Sequence, residues 1–105
     1  MKAILKNYRQ SPRKVRLITT LIAGKKVIDA ERELDLLVKR GSAPIKKILL
    51  SAVANAVKQG RIKDDLKVKE ARVDGGITLK RMMPRARGTG NQILKRTSNI
   101  QITLE

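Results

Sequence analysis

Residues 76–98 hold six cations, Lys80, Arg81, Arg85, Arg87, Lys95 and Arg96, and no carboxylate. Pro84, Gly88 and Gly90 lie near the middle of this stretch, so it reads as a β-hairpin whose tip falls around residues 84–91. Its arms, Ile77 to Met83 and Gln92 to Ser98, could each reach on the order of 20–25 Å at ~3.3 Å per residue. Neither arm has the apolar content to pack against a domain, and a lone two-stranded ribbon is marginal in water. The chain must therefore fold its core elsewhere and project a ribbon that an external surface orders.

The core has to come from the remaining residues, and their periodicity supplies one. Ser11 and Pro12 open a first helix as N-cap and first helical residue. Val15, Ile18 and Ile22 line one face of it, and Gly24 ends it. A second helix fits residues 27–39, with Val27, Ala30, Leu34, Leu37 and Val38 on one stripe and Lys39 and Arg40 at its end. A third runs from about Ser42 to Lys58, with Ile45, Ile48, Leu49, Ala52, Val53, Ala56 and Val57 repeating at 3.6 residues; Asn55 borders this face and Gly60 closes the helix. Its small residues Ala52, Ala54 and Ala56 permit close packing.

Residues 2–8 alternate weakly, as a short strand does. Leu66 and Val68 alternate, then Ala71 and Val73, with a phase slip at Glu70 that a β-bulge explains. Ile100, Ile102 and Leu104 alternate strictly. Three helices with strands that pair over long sequence separations define an α+β domain. At 105 residues the expectation is one domain spanning 1–105, with the hairpin at about 77–98.

Charge then narrows the function. There are 25 Lys and Arg against 9 Asp and Glu, a formal net charge of +16, which calls for a polyanionic partner. Residues 1–26 carry Lys2, Lys6, Arg9, Arg13, Lys14, Arg16, Lys25 and Lys26 with no acid, whereas Asp29, Glu31, Glu33 and Asp35 crowd into seven residues. Such segregation fits one anion-facing side and one solvated side. Arg13 and Lys14 sit in the first turn of helix one, where cations oppose the dipole, and a phosphate there would reverse the sign. The wheel points Arg13 and Arg16 outward.

The chain has no His and no Cys, which removes thiol nucleophiles, Ser-His-Asp triads, disulfides and His or Cys metal sites. No catalytic residue, metal site or cofactor is expected, and Asp64-Asp65 reads as a turn. With Tyr8 as the single aromatic residue, base stacking has little to work with, so phosphate and shape contacts should dominate. No apolar run approaches the length of a membrane span, and the N-terminal MKAILKNYRQ lacks a signal peptide's apolar stretch. A soluble intracellular protein is expected.

Four stretches together resemble the universal large-subunit ribosomal protein twenty-two family, bacterial type. They are Ser11-Pro12-Arg13-Lys14-Val15-Arg16 with Gly24-Lys25-Lys26, then Ser51-Ala52-Val53-Ala54-Asn55-Ala56, then Leu79-Lys80-Arg81 with Pro84-Arg85-Ala86-Arg87-Gly88, and finally Lys95-Arg96-Thr97-Ser98. The resemblance implies three helices packed on a three-stranded antiparallel sheet, with a long protruding hairpin. It implies a structural, non-enzymatic RNA-binding component of the large ribosomal subunit. Large-subunit ribosomal RNA and neighbouring ribosomal proteins would be its partners, with no membrane and no homo-oligomer, in the cytoplasm or an organelle.

The globular face would bind through Arg9, Arg13, Lys14, Arg16, Lys25 and Lys26, and the hairpin through Lys80, Arg81, Arg85, Arg87, Lys95 and Arg96. The tip, Met83, Pro84, Arg85, Ala86, Arg87, Gly88, Thr89 and Gly90, would reach the wall of the peptide exit tunnel near the nascent peptide. Ala23 stands where the family commonly has a basic residue, and Asn99 where a His often follows Thr-Ser. Thr89-Gly90-Asn91-Gln92 is less basic than is common. The alternative is a DNA-bending nucleoid-type protein with a proline-tipped arm, which a tight dimer would favour.

Overall fold

The computed structural model describes residues 2–84 and 90–105. The element order is β1 (Lys2–Tyr8), α1 (Pro12–Ile22), α2 (Val27–Leu36), α3 (Ser42–Lys58), a 3-10 turn at Lys63–Asp65, β2 (Val68–Gly75), β3 (Leu79–Pro84), β4 (Gly90–Lys95) and β5 (Ser98–Leu104). Strands β1, β5 and β2 form an antiparallel sheet in that order, and β3 pairs with β4 in a separate antiparallel ribbon. The architecture is α+β, three helices on a three-stranded sheet with a hairpin, as expected.

The central strand β5 shows why the sheet is one-sided. Ser98, Ile100, Ile102 and Leu104 are buried, and the residues between them are not. Its partners follow the same alternation: Val73 sits opposite Ile100 and Ala71 opposite Ile102 on β2, while Ala3 and Leu5 oppose Ile102 and Ile100 on β1. These inward residues meet Val15, Ile18 and Ile22 of α1 and Ile45, Ile48, Leu49, Ala52, Val53 and Ala56 of α3 in one core. The opposite face stays polar, with an Arg72–Asp74 ion pair at 3.0 Å and Gln101 donating to Thr103 at 3.4 Å.

The expected bulge at Glu70 is there as a register shift between Val68 and Glu70. A second shift falls between Leu5 and Tyr8 on β1, where Asn7 adopts φ +59° and its N–H is taken by the Asn99 side chain at 3.0 Å. Asx residues tolerate that conformation better than most.

Helix two departs from expectation. α2 ends at Leu36 rather than near residue 39, because Leu37 turns to an extended backbone and packs its side chain on the core. Val38 is 95% exposed, so it leaves the expected stripe, and Lys39 and Arg40 fall in the following loop rather than on the helix end. Val57 is likewise 52% exposed, at the rim of α3 rather than in the core. Asn55 donates to the Lys2 carbonyl at 3.1 Å and so ties α3 to β1.

The α2 acids are not simply solvated. Glu31 pairs with Lys63 at 3.1 Å, Glu33 with Lys25 at 3.0 Å, and Asp35 with Lys46. Each partly exposed pair is worth at most about 1 kcal/mol. Their larger effect is to cancel positive charge on this side, which leaves the basic excess on the others.

The ribbon extends away from this body. Its strands are six residues long, about 20 Å, and Ile77 and Ser98, expected in its arms, belong to its root and to β5. Among the described residues, β3 and β4 pack on each other and on no other element substantially. The radius of gyration is 16.9 Å and the longest extent 63 Å, whereas a compact chain of this length has a radius of about 13 Å.

Candidate nucleic-acid interface

The ribbon is fixed to the body by a set of short polar contacts. The Gly76 N–H donates to the Thr97 carbonyl at 3.0 Å, and the Thr97 hydroxyl donates to the Ile77 carbonyl at 2.6 Å. The buried Ser98 hydroxyl donates to the Gln10 carbonyl at 2.6 Å, which joins the root to the turn before α1. Gly76 is required by close approach: a methyl there would lie 2.5 Å from the Thr97 hydroxyl oxygen. The root is thereby set directly against the N-terminal end of α1.

Between these two features lies a cleft of about 580 Å³, lined by Ser11, Pro12, Arg13, Lys14, Arg16 and Leu17 on one wall. Gly75, Gly76, Thr78, Arg96 and Thr97 form the other. A second cleft of about 540 Å³ is lined by Arg9, Gln10, Ser11, Lys14, Arg40, Leu94, Lys95 and Arg96. The two share Ser11, Lys14 and Arg96, so they form one groove around the helix end, and among the described residues no Asp or Glu lines either part.

The groove attracts anions through side chains more than through the helix end itself. Pro12 has no N–H, and the Ser11 carbonyl accepts from Lys14 at 3.2 Å and Val15 at 3.3 Å. Ser11 makes no side-chain cap bond, and the first turn has no acid. Lys14 and Arg96 therefore stand where two cleft walls meet, with nothing acidic to neutralise them there.

Several expected site residues are thus brought together: Arg9, Arg13, Lys14, Lys95 and Arg96. Arg16 lines the groove, but its guanidinium donates twice to the Val73 carbonyl, at 3.0 and 3.3 Å, so part of its capacity holds α1 to β2. Lys25 and Lys26 sit beyond the other end of α1, about 16 Å from its start at 1.5 Å per residue, and Lys25 is paired with Glu33. They belong to a different surface from the groove. Lys80 and Arg81 lie along β3, opposite Leu94 and Ile93.

The last described pair of the ribbon is Pro84 with Gly90. Met83 is paired with Asn91 in the ladder. Arg85, Ala86, Arg87, Gly88 and Thr89 lie outside the described residues.

Arg40 was missed by sequence reasoning, which placed it on a helix end. Gly41 explains its position, since a methyl there would meet Ile18 Cδ1 at 2.7 Å and the Gln10 side chain at 3.0 Å. The loop before α3 therefore runs tight against α1 and delivers Arg40 to the groove. The Ser42 hydroxyl holds that loop by donating to the Lys39 carbonyl at 2.8 Å. The legible signal was the Gly-Ser pair after Arg40.

An acid-free groove at the foot of a basic ribbon has the charge that suits a polyanionic chain. Comparison with known proteins makes this specific. Residues 3–105 match the family model described as ribosomal protein L22p/L17e. The chain is 52% identical over 101 residues to large ribosomal subunit protein uL22 of Deinococcus radiodurans, covering 95% of this chain and 75% of that one. It is 49% identical over 104 residues to the Thermus thermophilus protein of the same name, covering 98% and 92%. For the Herpetosiphon aurantiacus protein the figures are 46% over 105 residues, 99% and 93%.

The chain belongs to the ribosomal protein L22p/L17e family. It is a ribosomal structural constituent and not an enzyme. Among the described residues no helix is long and apolar enough to cross a membrane.

Proposed function

We propose that the chain is held in the large ribosomal subunit by phosphate contacts from its groove to ribosomal RNA, and that its hairpin tip reaches the wall of the peptide exit tunnel. The carrying observation is the acid-free groove, where Arg9, Arg13, Lys14, Arg40, Lys95 and Arg96 converge from the domain and the ribbon root. Phosphate contacts position a protein on RNA without reading bases, which suits a surface with almost no aromatic residues. Residues 1–105 act as one unit in this reading, the body docking while the ribbon, with Lys80, Arg81, Arg85 and Arg87, runs between RNA segments. A ribbon whose described residues pack little on the body gains order from such surroundings.

The tunnel part is tested with translating ribosomes that carry a photo-crosslinking residue in place of Gly90. Crosslinks to the nascent peptide and to tunnel RNA are expected. Crosslinks confined to the subunit exterior would overturn it.

A further inference from the structure

The two edges of the sheet differ in how far they are occupied. On β2 the outer edge is engaged at both ends: the Val73 carbonyl is held by Arg16, the Val68 carbonyl accepts from the Gly24 N–H at 2.9 Å, and the Val68 N–H donates to the Lys25 carbonyl at 2.8 Å. On β1 the Lys2 carbonyl is engaged by Asn55 at one end, and past the register shift the Asn7 N–H and the Tyr8 carbonyl are taken by Asn99 and Gln10. Successive residues of a strand turn their backbone groups to opposite sides, so the N–H and C=O of Ile4 face outward with that of Lys2. None of the described residues bonds to them from that side.

Beside this open edge runs a groove of about 350 Å³ between β1 and α3, floored by Ala3, Leu5, Ala43, Pro44 and Ile48. Ile4 at its lip is 49% exposed. Lys47 and Ser51 also line it, and among the described residues no carboxylate does. Lys2 shares the outward side with Ile4.

We propose that this edge accepts an extended segment of a neighbouring protein, which adds as a fourth strand on β1 and places an aliphatic side chain, flanked by Asp or Glu, in the groove. A free ladder edge recognises a peptide backbone, and an adjacent pocket supplies side-chain specificity. RNA gains nothing from an apolar floor. The lysines also decide which strand is accepted: a second copy of β1 would bring Lys2 against like charge, the usual protection of an edge, whereas an acidic strand is drawn to the same positions. The inference depends on the family membership and not on the RNA groove, which lies at the α1 end of the body.

The test uses purified large subunits containing the full chain with Lys47 replaced by a photo-crosslinking residue. Crosslinks confined to one protein segment, with an aliphatic residue next to Asp or Glu, are expected. Crosslinks to RNA, or none, would overturn the proposal. Ile4→Pro is the second arm, since it removes the outward N–H while leaving the β5 ladder intact. It should lower the crosslink yield about fivefold, the value of one lost hydrogen bond. An unchanged yield would exclude strand addition. If Ile4→Pro subunits do not assemble, the crosslink pattern of the Lys47 position alone decides.

Discussion

Replacing Arg13, Lys14 and Arg96 together with Ala removes three cations from the two walls of the groove. Each phosphate contact contributes about 0.7–0.9 to the slope of log K against log salt. Three lost contacts should lower the slope by about 2–3. Between 50 and 200 mM salt these contacts account for about a 20–40-fold loss of affinity in the unaltered protein. The variant should therefore bind more weakly at low salt and lose less as salt rises.

The assay is filter binding of a large-subunit ribosomal RNA fragment at four or more salt concentrations. The body should stay folded, because Arg13 and Lys14 are exposed and the core residues are untouched. A Lys25→Ala, Lys26→Ala variant is the comparison, since those side chains lie beyond the far end of α1. An unchanged slope in the triple variant, with the fold intact by circular dichroism, would refute the groove as the phosphate surface.

Three more expectations follow from the packing. Gly76→Ala should cost about 1–3 kcal/mol by crowding Thr97, read as a lower urea midpoint, because the Thr97 hydroxyl is held on Ile77 and cannot easily retreat. Arg16→Ala should cost about 1 kcal/mol through the lost bonds to Val73, and should lower the salt slope by less than one full contact in the same filter assay. Replacing residues 79–95 with a short Gly-Ser linker should leave the melting temperature of the body within a few degrees, since among the described residues the ribbon packs little on any other element; a large fall by calorimetry would show that the ribbon supports the core.

The parts of the fold that the sequence displayed are those whose signal is local and repeated. The 3.6-residue apolar spacing from Ile45 to Ala56 marked α3, and strict alternation marked β5, because burial on one face leaves no other arrangement of those side chains. The slip at Glu70 was visible for the same reason. The end of α2 was not, since Leu37 satisfies the core equally well from a helix or from an extended turn. Nothing local distinguishes the two until α1 and α3 set the space between them.

The candidate site was legible as composition and not as geometry. The cations of residues 1–26 looked like one surface, yet an 11-residue helix separates Arg13 from Lys25, and Glu33 draws Lys25 into an ion pair. Arg16 pointed outward as the wheel required, but its reach to the Val73 carbonyl depends on a strand 57 residues away in sequence. Arg40 entered the groove through the tight passage of Gly41 along α1, a contact between segments that no periodicity encodes.

The central claim is that the basic groove and the ribbon grip ribosomal RNA of the large subunit. Ultraviolet crosslinking of the tagged protein in cells, followed by sequencing of the attached nucleic acid, tests it most directly. The account predicts crosslinks concentrated in large-subunit ribosomal RNA, at sites close together in the assembled particle, with peptides containing Arg13, Lys14 or Arg96 among those attached. Crosslinks dispersed over chromosomal DNA, or ribosomal RNA attached only through Lys25 and Lys26, would contradict it.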